Sequence, residues 1–444
     1  MARFRSDREH APFCLYPLIS FYAHDGANFM STTSDTTKDT SSPRTLRPLW
    51  RNRDYVLLVS GQAVSSVGSQ VSLVAFPLML FALTHSALQT GLIAALRALP
   101  YALITLPAGV LVDRWDRKQI MIVADFGRAL ALGSIPLALW LGHLTYVQLY
   151  LVSLVEGTLY VFATLAESAS LPHVVEPEQI PMASGQDQLI NSTASLIGPA
   201  LGPILYSIGQ AIPFLADAIS YMASVISLFF VRIRFQDERS PKQSTAKSLW
   251  TDTKEGIAWL WHNPLIRFLA ILTFGLITPC YGYLLILIVL AQGMHTSSLV
   301  MGLIFAGEGV GSIIGSLIAG PLYRRLGFRK LLIGTAWIWA IFWLLYALAP
   351  NPLLLGIVNA VSFTVVPVYM VVQYSYRAAV IPDQLWGRVN SVFRLIAFSS
   401  QPLGIALTGF LVQWIGPVYT VLLLFVPQGI MCVIATFSKH IRNA

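Results

Sequence analysis

The sequence predicts an all-α membrane protein: twelve transmembrane helices in two similar, pseudo-symmetric six-helix halves. Three observations carry the prediction. Of the 444 residues, 55% are hydrophobic and only 11% charged, less than half the roughly 25% charged share of soluble domains, and mean hydropathy is +0.65. Apolar windows of about the ~20 residues a bilayer crossing needs recur along the chain. The basic residues between those windows alternate, present on one side and absent from the other.

The windows fall at 55–82, 89–112, 119–141, 146–168, 184–208, 211–232, 265–291, 298–320, 331–349, 353–374, 389–413 and 416–437. Ahead of the first stand Arg44, Arg47, Arg51 and Arg53. Then come Arg114, Arg117 and Lys118, followed by Arg232, Arg234, Arg239, Lys242, Lys247, Lys254 and Arg267. The second half adds Arg324, Arg325, Arg329, Lys330, Arg377, Arg388, Lys439 and Arg442. With twelve crossings and both termini cytoplasmic, all of these lie on one face, as the positive-inside rule requires. The opposite loops 83–88, 142–145, 209–210, 292–297, 350–352 and 414–415 hold neither Lys nor Arg. One loop on the basic side, 169–183, departs from the pattern: it has no Lys or Arg and carries Glu176 and Glu178.

Residues 1–48 read as a tail. Ala11 to Phe21 is apolar but short, interrupted by Pro12 and Pro17, and lacks a small-residue cleavage site, so a signal peptide is not expected. Residues 31–45 are polar and of low complexity, the composition of a disordered segment; Met30 just before them is a second candidate start.

Several function classes drop out. A net charge of +8 and a pI near 9.4 would suit nucleic acid, but the bases sit in short clusters between apolar runs, which is loop topology rather than a binding face. Cys14, Cys280 and Cys432 are scattered, without CxxC or histidines at metal spacing, so neither a disulfide framework nor a metal or cofactor is expected. No nucleophile motif, HExxH or phosphate-cradling loop points to an enzyme or an ATP-driven pump, and no catalytic residue is assigned.

The chain repeats itself. Gly109-Val-Leu-Val-Asp-Arg-Trp-Asp-Arg-Lys118 returns as Gly320-Pro-Leu-Tyr-Arg-Arg-Leu-Gly-Phe-Arg-Lys330, and Pro177-Glu-Gln returns as Pro382-Asp-Gln. The halves are 49–232 and 265–444, joined by a basic linker at 233–264 with an amphipathic stretch from Leu249 to Trp259, suited to lying at the membrane surface. Parallel six-helix repeats are an architecture of transporters, with the substrate near the midplane between halves.

The Gly109–Lys118 loop resembles the signature of the major facilitator superfamily between spans two and three, G-x-L-x-D-R-x-x-R-K, at every fixed position. Ala194-Ser-Leu-Ile-Gly198-Pro199-Ala-Leu-Gly202 is similar to the fifth-span motif of antiporters in that superfamily, with Ala194 in place of the usual glycine and Pro203 in place of the last. Arg51-Asn-Arg-Asp54, Ala108 to Arg114 and Gly387-Arg388 resemble its bacterial drug-efflux branch, which includes macrolide and siderophore exporters. The resemblance implies a conformational latch: Asp113, within Gly109, Arg114, Arg117 and Lys118, docks at the start of span eleven beside Gly387 and Arg388. A carboxylate at a helix N-terminus gains about 0.3–2 kcal/mol. Enforcing topology is the plainer role for the same bases. Arg324 stands where Asp113 does in the second half, so no equal latch is expected there. For Gly198, Pro199, Gly202 and Pro203 the resemblance implies a bend that seals one side and favours export; close helix packing alone is the alternative.

Ionisable groups inside spans cost about 2.5–3.5 kcal/mol each at midspan, so each needs a reason. Arg97, Glu156, Asp217 and Glu308 lie in spans two, four, six and eight, and Glu308 is the repeat counterpart of Arg97. A desolvated carboxylate can take up and release a proton, which makes Glu308, Glu156 and Asp217 proton-coupling candidates; a static Arg97–Glu156 pair is the alternative. Asp125 and Arg128, three apart on span three, are expected to pair or to brace the nearby loop. Gln62, Gln70, Asn191, Tyr281, Tyr283, Trp337, Gln373 and Tyr374 are candidates to line a substrate pocket or, equally, packing groups.

The expectation is thus a monomeric, multi-pass transporter of the cell membrane that exports a hydrophobic or amphipathic small molecule, drug or siderophore-like, in exchange for protons. Import or symport by the same fold and a non-transporting membrane sensor are the competing readings.

Overall fold

Each of the twelve windows is mostly helical in the computed structural model, which describes residues 48–233, 235 and 246–442, and no strand occurs among the described residues. The tail 1–47 and linker residues 234 and 236–245 fall outside them. The first half comprises α1 (Arg53–Thr84), α2 (Ala87–Arg114), α3 (Arg117–Trp140), α4 (Tyr146–Val174), α5 (Ile180–Ile208) and α6 (Ile212–Phe230). The amphipathic stretch of the linker forms α7 (Ala246–His262). The second half holds α8 (Pro264–Ile277), α9 (Tyr283–Gly293), α10 (Ser298–Leu348), α11 (Pro352–Val380), α12 (Asp383–Phe398) and α13 (Gln401–Phe437), and α14 (Lys439–Arg442) ends the described chain.

The turn chemistry explains where the helices begin. Side-chain oxygens of Asn52, Ser86, Asp116, Thr145, Asn263, Ser297 and Asn351 each accept from the backbone N–H three residues on, supplying a partner to helix-start donors that otherwise lack one. Pro264 and Pro352 open α8 and α11, where the missing N–H costs nothing.

Helix α10 runs for 51 residues through two expected spans, but Gly327 breaks it with φ 72°; Gly416 does the same to α13 with φ 78°. Left-handed backbone is open to glycine at little cost, so the two reversals sit on glycine. Span seven is interrupted as well: α8 ends in a 3-10 turn at Thr278–Cys280 before α9 resumes. Pro279, lacking an N–H, causes the break. It lies against the break between α12 and α13, where the Thr278 and Ser400 hydroxyls are 2.6 Å apart.

Within the first half α1 packs on α5 and α6, α2 on α4, and α3 on α4 and α6. Between halves α2 lies along α13 and α5 along α10. Gly91 and Gly409 meet so closely that a Cβ on Gly91 would stand 2.7 Å from the Gly409 Cα. Gly302 and Gly309 of α10 set against Ala200 and Leu196 of α5 in the same way, and Ser86 donates to Gln413 Oε1 across the seam at 3.0 Å. The Gly91–Gly409, Gly302–Ala200 and Ser86–Gln413 approaches lie toward the end of the bundle whose loops lack Lys and Arg, and Gly309 meets Leu196 near the middle.

Candidate functional site

Four residues singled out by polarity share one depth. Arg97, Glu156 and Glu308 each sit ten residues in from the starts of α2, α4 and α10 at the base-free end, and Tyr283 sits ten residues from the end of α9. At 1.5 Å per residue that is about 15 Å, the middle of the hydrocarbon.

In the first half Arg97 and Glu156 meet. Arg97 donates from Nε to Glu156 Oε2 at 2.5 Å and from Nη2 to Oε1 at 3.1 Å. Arg128 of α3 donates from Nη2 to the same Oε1 at 2.9 Å, and its Nη1 stands 3.6 Å from Asp125 Oδ1. Asp125 also accepts from Ser224 of α6 at 2.7 Å, while the Arg128 guanidinium lies over the Tyr221 ring, 4.0 Å from its centre. Glu156 and Arg128 are 1% and 4% exposed. Gly157 lets α4 approach α2 so closely that a Cβ would fall 2.1 Å from the Arg97 carbonyl oxygen. Two guanidiniums clamping one carboxylate tie α2, α3 and α4 together, the arrangement a buried carboxylate needs to stay charged.

Asp217 is buried apart from that clamp. Ser220 donates to its Oδ1 at 3.2 Å, and Gly68 of α1 leaves it room, since a Cβ there would lie 2.5 Å from the same oxygen. Glu308 lies across the bundle in the second half and does not meet Arg97. Tyr283, freed by the span-seven break, points its hydroxyl at both carboxylate oxygens of Glu308, at 3.1 and 3.0 Å, and its ring lies 5.1 Å from that of Phe363.

Below the clamp, toward the basic end, a cavity of about 290 Å³ opens among α1, α3, α4, α5 and α6. Gln62, Ser65, Ser66 and Ser69 of α1 face it, with Asp125, Arg128, Tyr160, Glu167, Asp187 and Asn191 from the other walls. Gln62 donates to Asp187 Oδ1 at 2.5 Å, and Asn191 donates to the same oxygen at 3.3 Å. Of the pocket candidates, Gln62 and Asn191 are therefore together here. Gln70 lies one turn along and donates to Ser195 of α5 at 3.2 Å. The second-half candidates are elsewhere: Gln373 is buried in a hydrogen-bonded set with Thr273 and Tyr369, Trp337 donates to Thr436, and Tyr281 packs beside Gly404.

Sequence reasoning overlooked Glu167, Asp187 and the role of Arg128 in the clamp. Glu167 and Asp187 sit near the edges of their windows; α4 continues seven residues past the first, and α5 begins seven residues before the second. The signal that would have found the cavity is the polar stripe Gln62, Ser65, Ser66, Ser69 at helical spacing in an otherwise apolar span.

At the basic end Asp113 is about half exposed and lies 3.7 Å from Arg117 one turn on. Arg117 also donates to the carbonyls of Ala169 and Phe235, at 2.7 and 3.2 Å, and Lys118 donates to the Val231 carbonyl at 2.8 Å. These bases therefore bind the carbonyl-rich C-terminal ends of α4 and α6. Arg388 of α12 pairs with Glu255 of α7, and a Cβ on Gly256 of α7 would lie 2.8 Å from the Arg388 carbonyl. Gly109 has open space beside it, and Gly387 lies within α12. On α5 Gly198 nests on Gln70, leaving 2.2 Å to its Cβ for any added Cβ, and Gly202 nests on Val74; these glycines set the α1–α5 contact.

Comparison with known proteins agrees with this architecture. The chain is 23% identical to the multidrug efflux pump Tap of Mycolicibacterium fortuitum over 399 residues, 87% of this chain and 96% of that protein. It is 27% identical to macrolide efflux protein A of Streptococcus pyogenes over 377 residues, 83% and 91% of the two chains. It is 25% identical to the enterobactin exporter EntS of Escherichia coli O1:K1 / APEC over 353 residues, 78% and 82% of the two. The fold is shared with the nucleoside transporter NupG, at a TM-score of 0.71 and 11% identity over 87% of this chain and 98% of that one. It is likewise shared with a bacterial homologue of the iron transporter ferroportin in an inward-facing state, at 0.67 and 15% over 88% and 100%. The family model described as transmembrane secretion effector matches residues 44–441, and the chain belongs to that family of multi-pass membrane transporters of the major facilitator type.

Proposed function

We propose that this transporter exports a hydrophobic or amphipathic small molecule across the cell membrane by alternating access, in exchange for protons, with both termini in the cytoplasm. The carrying observation is the asymmetry of the seam between halves. Glycines close it backbone to backbone at the base-free end, while at the basic end Asp113 is about half exposed. Read with the positive-inside rule, the base-free end is outside, and this conformation takes its substrate from the cytoplasm.

The efflux named for the relatives from Mycolicibacterium, Streptococcus and Escherichia supports the outward direction. Glu308, held only by a neutral tyrosine hydroxyl among the described residues, is the favoured proton carrier; Glu156, clamped by two guanidiniums, fits a structural role better. In the alternate state Asp113 would leave Arg117 for the start of α12, where Arg388 now pairs with Glu255. The division into halves at 49–232 and 265–444, working as one monomer, is part of the same proposal.

Everted membrane vesicles test the reading. Addition of erythromycin or tetraphenylphosphonium to acidified vesicles carrying the protein should release protons, and vesicles without it should not. Transport that proceeds equally without a proton gradient, or uptake in the opposite direction under the same gradient, overturns it.

A further inference from the structure

No residue lining the polar cavity lies beyond Leu228: the site is built inside the first half, off the seam between halves. Its electrostatics are unbalanced. Asp125, Arg128, Glu167 and Asp187 are the ionisable side chains that face it. The charge of Arg128 is already matched, since it donates to Glu156 and sits 3.6 Å from Asp125, although its Nε has no acceptor among the described residues. Asp125 is satisfied by Arg128 and Ser224.

The other two carboxylates are not neutralised. Among the described residues the Asp187 carboxylate accepts from the side-chain amides of Gln62 and Asn191 alone, and Glu167 keeps a buried Oε1 with no donor. Among the described residues neither forms an ion pair, and both line the same cavity. Each lies seven residues from the basic end of its helix, Glu167 on α4 and Asp187 on α5. That is about 10 Å inside at 1.5 Å per residue. Uncompensated carboxylates in a partly dehydrated pocket are costly unless a cation or a proton joins them.

The rest of the lining fits the same visitor. Leu58, Met121, Leu171 and Leu228 give apolar walls and Tyr160 an aromatic ring, a surface for hydrocarbon and for the face-on contact that cations make with rings. The volume of about 290 Å³ is at the lower end of the ~300–1,000 Å³ of small-molecule sites, room for a charged head with part of its apolar body.

We propose that this cavity is a recognition site for a monovalent organic cation, its charged head held between Glu167 and Asp187 and its apolar part against Tyr160 and the leucines. The inference deepens the export reading by naming the substrate class and rests on it only for direction, since binding needs no transport. An anion would meet a guanidinium already shared by two carboxylates, and a neutral ligand could donate to the Glu167 oxygen but would leave the carboxylate charges uncompensated.

Two near-isosteric probes of opposite charge test it. Radiolabelled tetraphenylphosphonium and tetraphenylborate are titrated against the full chain in lipid nanodiscs, with empty nanodiscs subtracted for partition into lipid. The phosphonium should bind at least tenfold more tightly than the borate. Glu167→Gln and Asp187→Asn should each weaken the phosphonium by about tenfold or more, and Glu167→Asp should retain it. Equal binding of both probes by the wild-type chain, or unweakened phosphonium binding by both variants, overturns the proposal. The two-probe comparison on the wild type stands even if a variant fails to fold. Phosphonium that binds without being exported would leave this site standing and remove the export reading, while exported erythromycin with no phosphonium binding would do the reverse.

Discussion

Arg128 and Glu156 are joined at 2.9 Å in the interior of the first half, and Arg97 holds the other oxygen of the same carboxylate at 2.5 Å. One negative charge thus serves two positive ones, with Asp125 completing the balance. Three helices depend on this cluster for their relative placement, and none of its members can be removed without stranding a charge.

Replacement of Glu156 by Gln should therefore destabilise the protein more than it impairs chemistry. Losing one partner of a buried ion pair costs about 3–5 kcal/mol, because the remaining charge is left uncompensated. Thermal unfolding in detergent should show a melting temperature lower by several degrees. Adding Arg97→Met to the same chain should recover part of the loss. If Glu156→Gln melts like wild type and only proton coupling is lost, Glu156 is a proton carrier and not a clamp.

What the sequence made legible was whatever the bilayer dictates. Span positions follow from the cost of exposing backbone or charge to hydrocarbon, and that cost is read from single residues in order. Pairing across helices is not. Asp125 and Arg128 could be matched because they are three apart on one helix, yet the stronger Arg128–Glu156 contact joins positions 28 apart and needs the fold. The break that frees Tyr283 was present as Pro279, but a proline in a membrane helix can kink it as well as interrupt it. Glu167 and Asp187 were hidden by where a span was taken to stop: their helices project past the apolar windows, so charges at the window edge face a cavity instead of a loop.

Glu308→Gln gives the complementary result. Among the described residues its carboxylate meets a tyrosine hydroxyl and no guanidinium, so loss of its charge strands nothing and stability should hold. In liposomes loaded with a pH-sensitive dye, proton flux driven by tetraphenylphosphonium should fall at least tenfold, while exchange of labelled for unlabelled phosphonium continues. Tyr283→Phe removes a hydrogen bond worth about 0.5–1.5 kcal/mol net and should change the flux by about tenfold or less. Undiminished proton flux in Glu308→Gln would exclude this residue as the carrier.

Asp113→Asn bears on the latch. The side chain is 46% exposed in this state, so stability should be untouched. If the carboxylate docks on the start of α12 in the alternate state, its loss forfeits up to ~2 kcal/mol there, or up to about thirtyfold in the balance between states. Turnover should slow while phosphonium affinity in the state seen here is unchanged. Wild-type turnover in this variant would mean that the bases of the loop serve only to cap α4 and α6.

The seam offers the most direct handle on conformation. A Cβ on Gly91 would lie 2.7 Å from the Gly409 Cα and 3.2 Å from the Ile405 carbonyl oxygen, all backbone or next to it, so nothing nearby can swing aside. Gly91→Val should then cost about 1–3 kcal/mol, and only while the base-free end is shut. That penalty shifts the ratio of the two states by about 5- to 150-fold toward the one open at that end. Spin labels at Leu83 and Leu353, both exposed at the base-free ends of opposite halves, should report a longer distance population by pulsed electron resonance in the variant. Tetraphenylphosphonium transport should drop in parallel, because the cycle cannot reseal. An unchanged distance distribution would mean that the halves do not part along the α2–α13 seam, and the alternating-access reading would lose its pivot.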